Sequence, residues 1–357
     1  MILKYDYLKQ IFFKFDPETA HKIVENTLHY ADVLCPKFFD ISSNYFTFEN
    51  QALEQNILST TYKNPVGIGG GFDKNATMLS GLKSLGFGYL EYGTFTPKPQ
   101  DGNAKPRLFR LIDEESIQNA MGFNNKGSEY IKNIVKNKYP FQIPIWANIG
   151  KNKLTPNENA ISDYEKLAKD FDNFCDAFVV NISSPNTPNL RDLQEKDFIK
   201  ELFLTLKNIT KKPIILKISP DLEIKKAIEI CISAIENGAN GIIIANTSIN
   251  YSLSNSKNLR DFGGLSGQNI KQLSRDMFKL ISDEIYGKTV LIACGGIDNA
   301  QEAYDRIKMG ASLIQIFTSF IYKGPKICYD INSGILKLLK QDGLSNIKDA
   351  IGIDIKR

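Results

Sequence analysis

The segment Val66-Gly67-Ile68-Gly69-Gly70-Gly71-Phe72-Asp73-Lys74 indicates the fold, because a short apolar run ends in small residues and then in a charged pair. Comparable apolar runs recur seven more times toward the C-terminus, and segments of helical periodicity separate them. The predicted strands are residues 66–68, 88–92, 145–148, 177–181, 214–218, 241–245, 290–293 and 313–317. Eight βα units close into a barrel, so we predict an α/β fold, a (β/α)8 TIM barrel.

Other segments of this part of the chain flank the predicted strands. Residues 53–61 are predicted to form a strand or hairpin that plugs the barrel floor. Insertions rich in Gly, Asn and Pro, residues 96–128 and 247–267, follow the second and sixth strands. Long loops at the carboxyl end of a barrel usually serve its site.

A small two-helix extension is predicted before the barrel. The helices are separated at Asp16-Pro17, where Asp16 can cap and Pro17 takes the first helical position. Periodicity alone favours a pair that packs on the barrel; the alternative is a pair whose aromatic and basic faces rest on a bilayer or admit an apolar ligand. We therefore divide the chain into a helical extension, residues 1–45, and a barrel domain, residues 46–357.

Composition excludes several classes of function. The chain has 357 residues and a net charge of +4, which gives no reason to expect a nucleic-acid surface. Its two histidines, His21 and His29, both precede the barrel, so a Ser-His-Asp hydrolase and a His-rich zinc site are excluded, and no metal is predicted. Five cysteines without a CxxC pair fit a reducing compartment. With no apolar run of about 18 residues and no signal peptide, we expect a protein that is neither transmembrane nor secreted.

The predicted strand ends are rich in amides and poor in carboxylates. An asparagine offers a donor and an acceptor side by side, which suits a flat heterocycle with amide and carbonyl groups. A glycosidase would place paired acids there, and a divalent-metal enzyme would place clusters of oxygen ligands. Gly295-Gly296 and Phe317-Thr318 match the place where barrels hold a phosphate, although turn residues are the alternative explanation.

Three side chains are candidates for chemistry. Lys217 ends the fifth strand with its ammonium aimed into the barrel mouth, where it would form a Schiff base or stabilise negative charge on a reduced flavin or a substrate. Lys74, at the end of the first strand, has the same two possible roles. Ser184 has no histidine to activate it, so chemistry alone favours a serine that caps its loop.

Six segments, in register, resemble dihydroorotate dehydrogenase of the quinone-linked, membrane-associated class. The resemblance runs from Phe15-Asp16-Pro17-Glu18 to Gly324-Pro325. The six segments are residues 67–74 (GIGGGFDK), 105–110 (KPRLFR), 119–125 (NAMGFNN), 181–187 (NISSPNT), 263–267 (GGLSG) and 295–298 (GGID).

The resemblance implies FMN as the cofactor and dihydroorotate as the substrate. The positions matching the family's FMN contacts are Gly70, Gly71, Phe72, Asp73, Lys74, Thr94, Asn148, Asn181, Lys217, Thr247, Gly267, Gly296, Phe317 and Thr318, the phosphate lying near Gly267, Gly296, Phe317 and Thr318. The positions matching its substrate contacts are Lys74, Asn119, Ala120, Met121, Gly122, Phe123, Asn181, Asn186, Asn246 and Thr247.

The resemblance also implies a mechanism and overrides the structural interpretation of Ser184. Ser184 matches the family's base, which removes the C5 proton while the C6 hydride passes to flavin N5 and orotate forms. Lys217 would stabilise negative charge near flavin N1 and O2, and Thr187 would help to relay the proton. The expected reaction is oxidation of (S)-dihydroorotate to orotate in de novo pyrimidine (UMP) biosynthesis.

The same match indicates a membrane quinone as electron acceptor. Relatives that use fumarate or NAD place a cysteine at the position of Ser184 and lack the N-terminal helices. The resemblance implies that the helices form a membrane foot and a tunnel for the quinone tail, lined by Phe12, His21, Val24 and Arg110. We expect a monomer peripheral to the cytoplasmic side of the inner membrane, in contact with the bilayer surface, with no nucleic-acid partner.

Three departures from the family pattern stand near the expected site. Ala120 replaces the usual arginine, which removes a cation near the substrate, and Ala245 replaces a threonine. Gly69-Gly70 replaces an alanine pair, which we expect to give the flavin more room with a mild effect.

The sequence leaves three other functions open beside dihydroorotate oxidation. They are a Schiff-base aldolase built on Lys217, a flavin enzyme that acts on uracil rings in RNA, and a membrane-binding module without activity. The low net charge speaks against RNA, and the detailed strand ends speak against a module without activity.

Overall fold

The computed structural model describes residues 5–355, so the outer ends of both predicted domain ranges, residues 1–4 and 356–357, lie outside it. Eight parallel strands form one closed barrel. The barrel strands are β3 (Val66–Asp73), β4 (Tyr89–Phe95), β7 (Ile145–Ile149), β8 (Ala177–Asn181), β9 (Ile214–Lys217), β10 (Gly241–Ile244), β12 (Val290–Cys294) and β13 (Leu313–Ile316). All eight predicted strands are present, and the predicted (β/α)8 fold is confirmed.

Amphipathic helices surround the barrel and bury their apolar faces against it. From the first strand onward they are α4 (Leu79–Lys83), α5 (Ser128–Val135), α6 (Ala160–Phe171), α7 (Lys196–Ile209), α8 (Ile224–Glu236), α9 (Lys271–Ile285), α10 (Ala300–Lys308), α11 (Thr318–Lys323), α12 (Ile327–Gln341) and α13 (Ile347–Ala350). Side-chain oxygens satisfy free backbone N–H groups at some helix starts. Glu223 accepts from two such groups at α8, and Asn299 from one at α10.

A hairpin closes the amino end of the barrel. Strands β1 (Gln55–Ile57) and β2 (Thr60–Tyr62) pair antiparallel, which confirms the prediction for residues 53–61. Tyr62 reaches into the barrel, where its hydroxyl accepts a hydrogen bond of 3.1 Å from Trp146 Nε1. The Tyr89 ring packs against Trp146 at a centroid distance of 4.3 Å. Three fully buried aromatic rings therefore seal the floor.

The barrel interior has an apolar layer below a polar one. Alternate residues of a strand point to the same face, so the residue two positions after each floor residue also points inward. The apolar layer consists of Tyr89, Trp146, Val179, Ile215, Ile243, Ile292 and Leu313. Two positions further along the same strands stand Glu91, Asn148, Asn181, Lys217, Ala245, Cys294 and Gln315. The polar layer faces the carboxyl end, where the predicted site lies.

The two long insertions form a sheet at the carboxyl rim. Strands β5 (Leu108–Leu111), β6 (Ser116–Asn119) and β11 (Gly264–Gly267) form an antiparallel sheet in the order β11-β6-β5. Both insertions were predicted to be loops, so this sheet is an addition to the predicted fold. The pairing fixes Asn119 opposite Gly264 and thus joins the two insertions over the barrel mouth.

From residue 5 onward, three helices precede the barrel: α1 (Tyr5–Phe12), α2 (Pro17–Leu34) and α3 (Lys37–Phe46). The two predicted helices are present, with Asp16 accepting from the N–H groups of Glu18 and Thr19 as the cap of α2, and the third helix is an addition. Helix α2 packs on α4, where an added Cβ at Gly81 would meet the Leu28 side chain at 2.9 Å. Within residues 5–355, no helix is long and apolar enough to span a bilayer.

The sealed floor predicts a large stability cost for Trp146→Ala. Removing this fully buried ring should lower the free energy of unfolding by about 3–5 kcal/mol, because the surrounding side chains cannot fill the cavity. Denaturant unfolding followed by circular dichroism measures the change. Leu154→Ala, at a side chain that is 93% exposed, is the control and should cost less than about 0.5 kcal/mol. Equal costs for the two variants would contradict the role of the floor.

Candidate active site

A cavity of about 620 Å³ lies at the carboxyl end of the barrel and extends under the N-terminal helices. One half is walled by the polar layer and the rim loops. The other half is walled by apolar side chains of α1, α2 and α3. The cavity therefore joins a polar chamber to an apolar passage.

Most of the predicted site residues line this one cavity. They are Gly70, Gly71, Phe72, Lys74, Thr94, Asn119, Met121, Gly122, Phe123, Asn181, Ser184, Asn186, Lys217, Asn246, Thr247, Gly267, Gly296, Phe317 and Thr318. Asp73, Ala120 and Asn148 do not line it, although each is adjacent in sequence or space to a residue that does. The roles assigned to individual residues stay predictions.

A chain of hydrogen bonds holds the strand-end amides in place. Thr94 Oγ1 donates to Asn148 Oδ1 over 2.5 Å and accepts from Asn181 Nδ2 over 2.8 Å. Asn246 Nδ2 donates to Asn181 Oδ1 over 3.3 Å and to Ser183 Oγ over 2.9 Å. Since these bonds link strands β4, β7 and β8 to the loop after β10, the amides converge with fixed orientations.

Ser184 lies at the polar end of the cavity and is 6% exposed. Its Oγ accepts a hydrogen bond of 3.3 Å from the N–H of Asn186. The Asn186 side chain donates in turn to Asn119 Oδ1 over 2.9 Å, which ties the Ser184 loop to the rim sheet. Two buried groups of this loop, Thr187 Oγ1 and Asn186 Oδ1, have no hydrogen-bond partner among the described residues. Asn186 lines the cavity, so its free buried oxygen is suited to a polar ligand, whereas Thr187 does not line the cavity.

Arg191 clamps the Ser184 loop to its neighbour. Its guanidinium donates to the carbonyl of Ser183 and the carbonyl of Thr247, each over 2.9 Å, and pairs with Asp221 over 2.7 Å. Asp221 also accepts from the hydroxyl of Ser248 and from the N–H of Ile249. One ion pair thus sets the spacing between the loops after β8 and β10. Neither Arg191 nor Asp221 was among the predicted site residues.

Burial shifts the pKa of two groups at the carboxyl end of β3. Desolvation lowers the pKa of Lys74, whose ammonium donates to the carbonyl of Gly71 over 2.8 Å. Desolvation also raises the pKa of Asp73 to about 6. The Asp73 carboxylate accepts from the N–H groups of Thr77 and Met78, each over 2.9 Å, so it stabilises the turn before α4.

A buried carboxylate stands behind Lys217. Glu91 is fully buried and accepts from Lys217 Nζ over 3.3 Å. Its carboxylate also accepts from Asn148 Nδ2 and from Gln315 Nε2. Glu91 and Gln315 were not among the predicted site residues. A charged or amide residue inside a fully buried apolar strand is nevertheless a signal of function, because burying such a group without partners is costly.

The expected room at Gly70 is already filled. An added Cβ at Gly70 would collide with the Glu91 carboxylate and approach Asn148 Nδ2 to 2.6 Å. An added Cβ at Gly69 would make only ordinary contacts, the nearest 3.6 Å from Gln315. The expectation that both glycines leave more space for a flavin is therefore wrong at Gly70, where the glycine makes space for Glu91.

Glycines expose the backbone at the opposite wall of the cavity. Gly267, Gly295 and Gly296 have φ values of 93°, 107° and 71°, which favour glycine. Added Cβ atoms at Gly267 and Gly296 would also meet backbone atoms closer than 3.0 Å. Nearby, the hydroxyls of Ser266 and Thr318 lie 2.8 Å apart. Exposed backbone next to two hydroxyls is suited to an anionic group such as a phosphate.

The apolar half of the cavity begins where His21 packs against Phe72 with ring centroids 5.1 Å apart. Desolvation, helped by the charge of Lys74, lowers the pKa of His21 to about 3, so its imidazole is neutral at neutral pH. The apolar wall includes Leu8, Phe12, Val24, Phe39 and Phe46.

Two arginines attach the N-terminal helices to the rim sheet. Arg107 pairs with Glu18 of α2 over 2.7 Å. Arg110 donates to the carbonyl of Phe15 over 2.8 Å and lies over the ring of Phe13. The passage is therefore held against the polar chamber by charged contacts from β5 and the segment before it.

Within the described part of the chain, no group of three or more His, Cys, Asp or Glu side chains is arranged to hold a metal ion.

Comparisons with known proteins agree over nearly the whole chain. The family model for dihydroorotate dehydrogenase matches residues 52–339. A protein of Nitratiruptor sp. described as dihydroorotate dehydrogenase (quinone) is 52% identical over 99% of this chain and 100% of its own length. A protein of Sulfurovum sp. with the same description is 51% identical over 99% of both chains.

A solved structure is also similar to this chain over nearly its whole length. The crystal structure of DHODH from Eimeria tenella in complex with ferulenol superposes with a TM-score of 0.84 and 31% sequence identity, over 97% of this chain and 99% of that one. The resemblance recognised in the sequence is thus confirmed, and the chain belongs to the dihydroorotate dehydrogenase family of oxidoreductases.

Proposed function

We propose that this protein oxidises (S)-dihydroorotate to orotate with FMN as cofactor and a membrane quinone as electron acceptor, in de novo pyrimidine biosynthesis. The observation that carries the proposal is the convergence of Ser184, Lys74, Lys217 and the strand-end amides on one cavity. Relatives described as quinone-linked enzymes support the choice of acceptor.

The residues present fit FMN. The glycine-rich wall around Gly267 and Gly296 would hold the phosphate, and Thr94, Asn181, Lys217 and Thr247 would hold the ring. Thr247 Oγ1 is buried and lacks a partner among the described residues, as expected of a hydroxyl that bonds a cofactor. When bound, the flavin would supply the redox chemistry, as a two-electron carrier between the substrate and the quinone.

The amide cluster would bind the substrate by its polar edge. Asn119, Asn181, Asn186 and Asn246 offer donors and acceptors that match the ring amides and carbonyls of dihydroorotate. The Lys74 ammonium would pair with the substrate carboxylate, and this pairing would compensate for the desolvation that lowers the lysine pKa. Ala120 is buried and offers no charge, so Lys74 would carry that role without an arginine at position 120.

Ser184 would remove the proton from C5. Its hydroxyl is a weak base in water, and burial by itself opposes ionisation of a hydroxyl. The lysine charge in the same cavity would act in the other direction and favour proton loss. Thr187, three residues later, has a hydroxyl with no partner among the described residues, and it would pass the proton outward. The Asn186 N–H bond holds the Ser184 oxygen in position.

The apolar passage would admit the quinone, and the outer face of the same helices would rest on the membrane. Val33, Leu34 and Ile41 are 67%, 79% and 60% exposed on this face. Exposed apolar side chains on amphipathic helices favour binding to a bilayer interface. We propose that the protein is a monomer bound peripherally to the cytoplasmic side of the inner membrane. We also propose that the chain divides into two domains, the helical extension of residues 1–45 and the barrel domain of residues 46–357.

A spectrum and one variant test the proposed reaction. Purified protein should contain a flavin, which absorbs at about 450 nm. Addition of dihydroorotate in the absence of oxygen should bleach this absorbance. Ser184→Ala should keep the flavin and slow bleaching by about 100-fold or more, because general-base catalysis contributes about that factor. Ser183→Ala alters a neighbouring hydroxyl that bonds Asn246 and should slow bleaching less. Protein without flavin, or Ser184→Ala with normal bleaching, would contradict the proposal.

Two valines on α2 test the passage. Val24 lines the cavity, whereas Val33 is exposed on the outer face. Val24→Asp should reduce turnover with a long-tailed quinone by about tenfold or more, since a carboxylate in an apolar wall costs well over 1.4 kcal/mol. Turnover with a soluble dye should not change.

Val33→Asp should leave turnover with both acceptors unchanged in detergent and weaken binding to phospholipid vesicles. If Val24→Asp lowers the rate with quinone and dye equally, the passage does not carry the acceptor.

The clamp on the Ser184 loop predicts an effect of Arg191→Met. Loss of the three contacts should lower kcat for dihydroorotate by about 10- to 100-fold, because small displacements of reacting groups have effects of that size. Flavin absorbance should persist. Arg260→Met, which removes an exposed rim arginine lying over Phe109, is the matched control and should not change kcat. An unchanged kcat for Arg191→Met would show that the clamp is dispensable.

A further inference from the structure

We propose that Glu91 lowers the reduction potential of the bound flavin by compensating the charge of Lys217, and so sets how readily electrons leave for the quinone. The inference rests on the proposed function, because it needs the flavin to lie against Lys217. Glu91 itself does not line the cavity, whereas Lys217 does. Glu91 is thus a positioning residue that acts through Lys217.

The carboxylate is fixed by three donors from three different strands. Oε1 accepts from Lys217 of β9 over 3.3 Å and from Asn148 of β7, and Oε2 accepts from Gln315 of β13. Gln315 Oε1 also accepts from Lys217 Nζ over 3.5 Å. With both oxygens bonded, Glu91 cannot turn away without leaving a buried donor unpartnered, which costs free energy. The arrangement therefore holds the Lys217 ammonium at one place below the cavity.

The position of this carboxylate depends on Gly70. A side chain at Gly70 would occupy the space that the Glu91 carboxylate uses, as the added Cβ shows. Glycine at this position lets a charged group stand against the backbone of β3 in a fully buried layer. The Glu91 carboxylate, which pairs with Lys217, therefore occupies the space that the methyl group of an alanine at position 70 would take.

Charge determines the direction of the effect. Reduction adds negative charge to the flavin, and a nearby ammonium stabilises that charge, which raises the reduction potential. A carboxylate beside the ammonium offsets part of its field and lowers the potential. Because the floor rings and strands exclude water from both groups, neither charge is strongly screened. A lower potential makes the reduced flavin a better electron donor to the quinone and the oxidised flavin a poorer acceptor from dihydroorotate.

The test is the two-electron midpoint potential of the purified holoenzyme, measured by equilibration with a reference dye. Glu91→Gln keeps the shape and removes the charge, and should shift the equilibrium toward reduced flavin by about tenfold, which is about 30 mV for two electrons. Glu91→Asp keeps the negative charge but moves it away from Lys217, because the side chain is one methylene shorter. This variant should give a smaller shift in the same direction. Asp176→Asn is the control, since Asp176 bonds the N–H of Ile145 at the amino end of the barrel and should leave the potential unchanged.

Stopped-flow half-reactions add a readout that a structural defect would not give. In Glu91→Gln, flavin reduction by dihydroorotate should be unchanged or faster while reoxidation by quinone slows. A shift below threefold, a shift to lower potential, or equal slowing of both half-reactions would overturn the inference. If Glu91→Gln does not retain flavin, the test rests on Glu91→Asp. The inference is overturned if the midpoint potential of Glu91→Asp rises no more than that of the Asp176→Asn control. Absence of flavin from the unaltered protein would instead contradict the proposed function.

Discussion

Closure of the barrel forces alternate residues of each strand into one narrow interior, and the rest of the structure follows from that constraint. The lower layer is filled by Trp146, Tyr89 and branched side chains, so it excludes water. The residues two positions later cannot reach solvent sideways, and therefore they must satisfy one another or a ligand. The Glu91 network and the Asn181 network are the two ways in which this polar layer meets that requirement. Thr247 Oγ1, which has no hydrogen-bond partner within residues 5–355, belongs to a residue that lines the cavity.

The sequence was sufficient to predict the strands and, together with the family resemblance, many of the residues that line the cavity. Each barrel strand is a local apolar run with a distinct end, and the ends of parallel strands meet at one side, so the grouping of Asn181, Lys217 and Asn246 followed from topology alone. The rim sheet was not predictable in this way, because β11 pairs with β6 about 150 residues away and both strands are only four residues long. The partners of Glu91 were hidden for the same reason, since three distant strands supply them. The importance of Ser184 came from family resemblance, and no local pattern would have given it.

The N-terminal helices are apolar on two faces, which explains why periodicity alone did not decide their role. The inner face, with Phe12 and Val24, closes the passage, while the outer face exposes Val33 and Leu34. A helix pair that only packed on the barrel would not need the second face. The Glu18–Arg107 pair then joins α2 to the rim insertion that carries Asn119, so the passage and the polar chamber share one wall.

The aromatic floor also isolates the polar layer from the ions of the medium. Trp146, Tyr62 and Tyr89 stop counterions at the amino end, and the rim sheet narrows the approach from the other end. Dissolved salt weakens attraction between charges at a surface but reaches a buried pair only slightly. The electrostatic environment of Lys217 is therefore nearly constant across the ionic strengths that a cell experiences, while the exposed pairs, such as Lys63 with Glu49, respond to every such change.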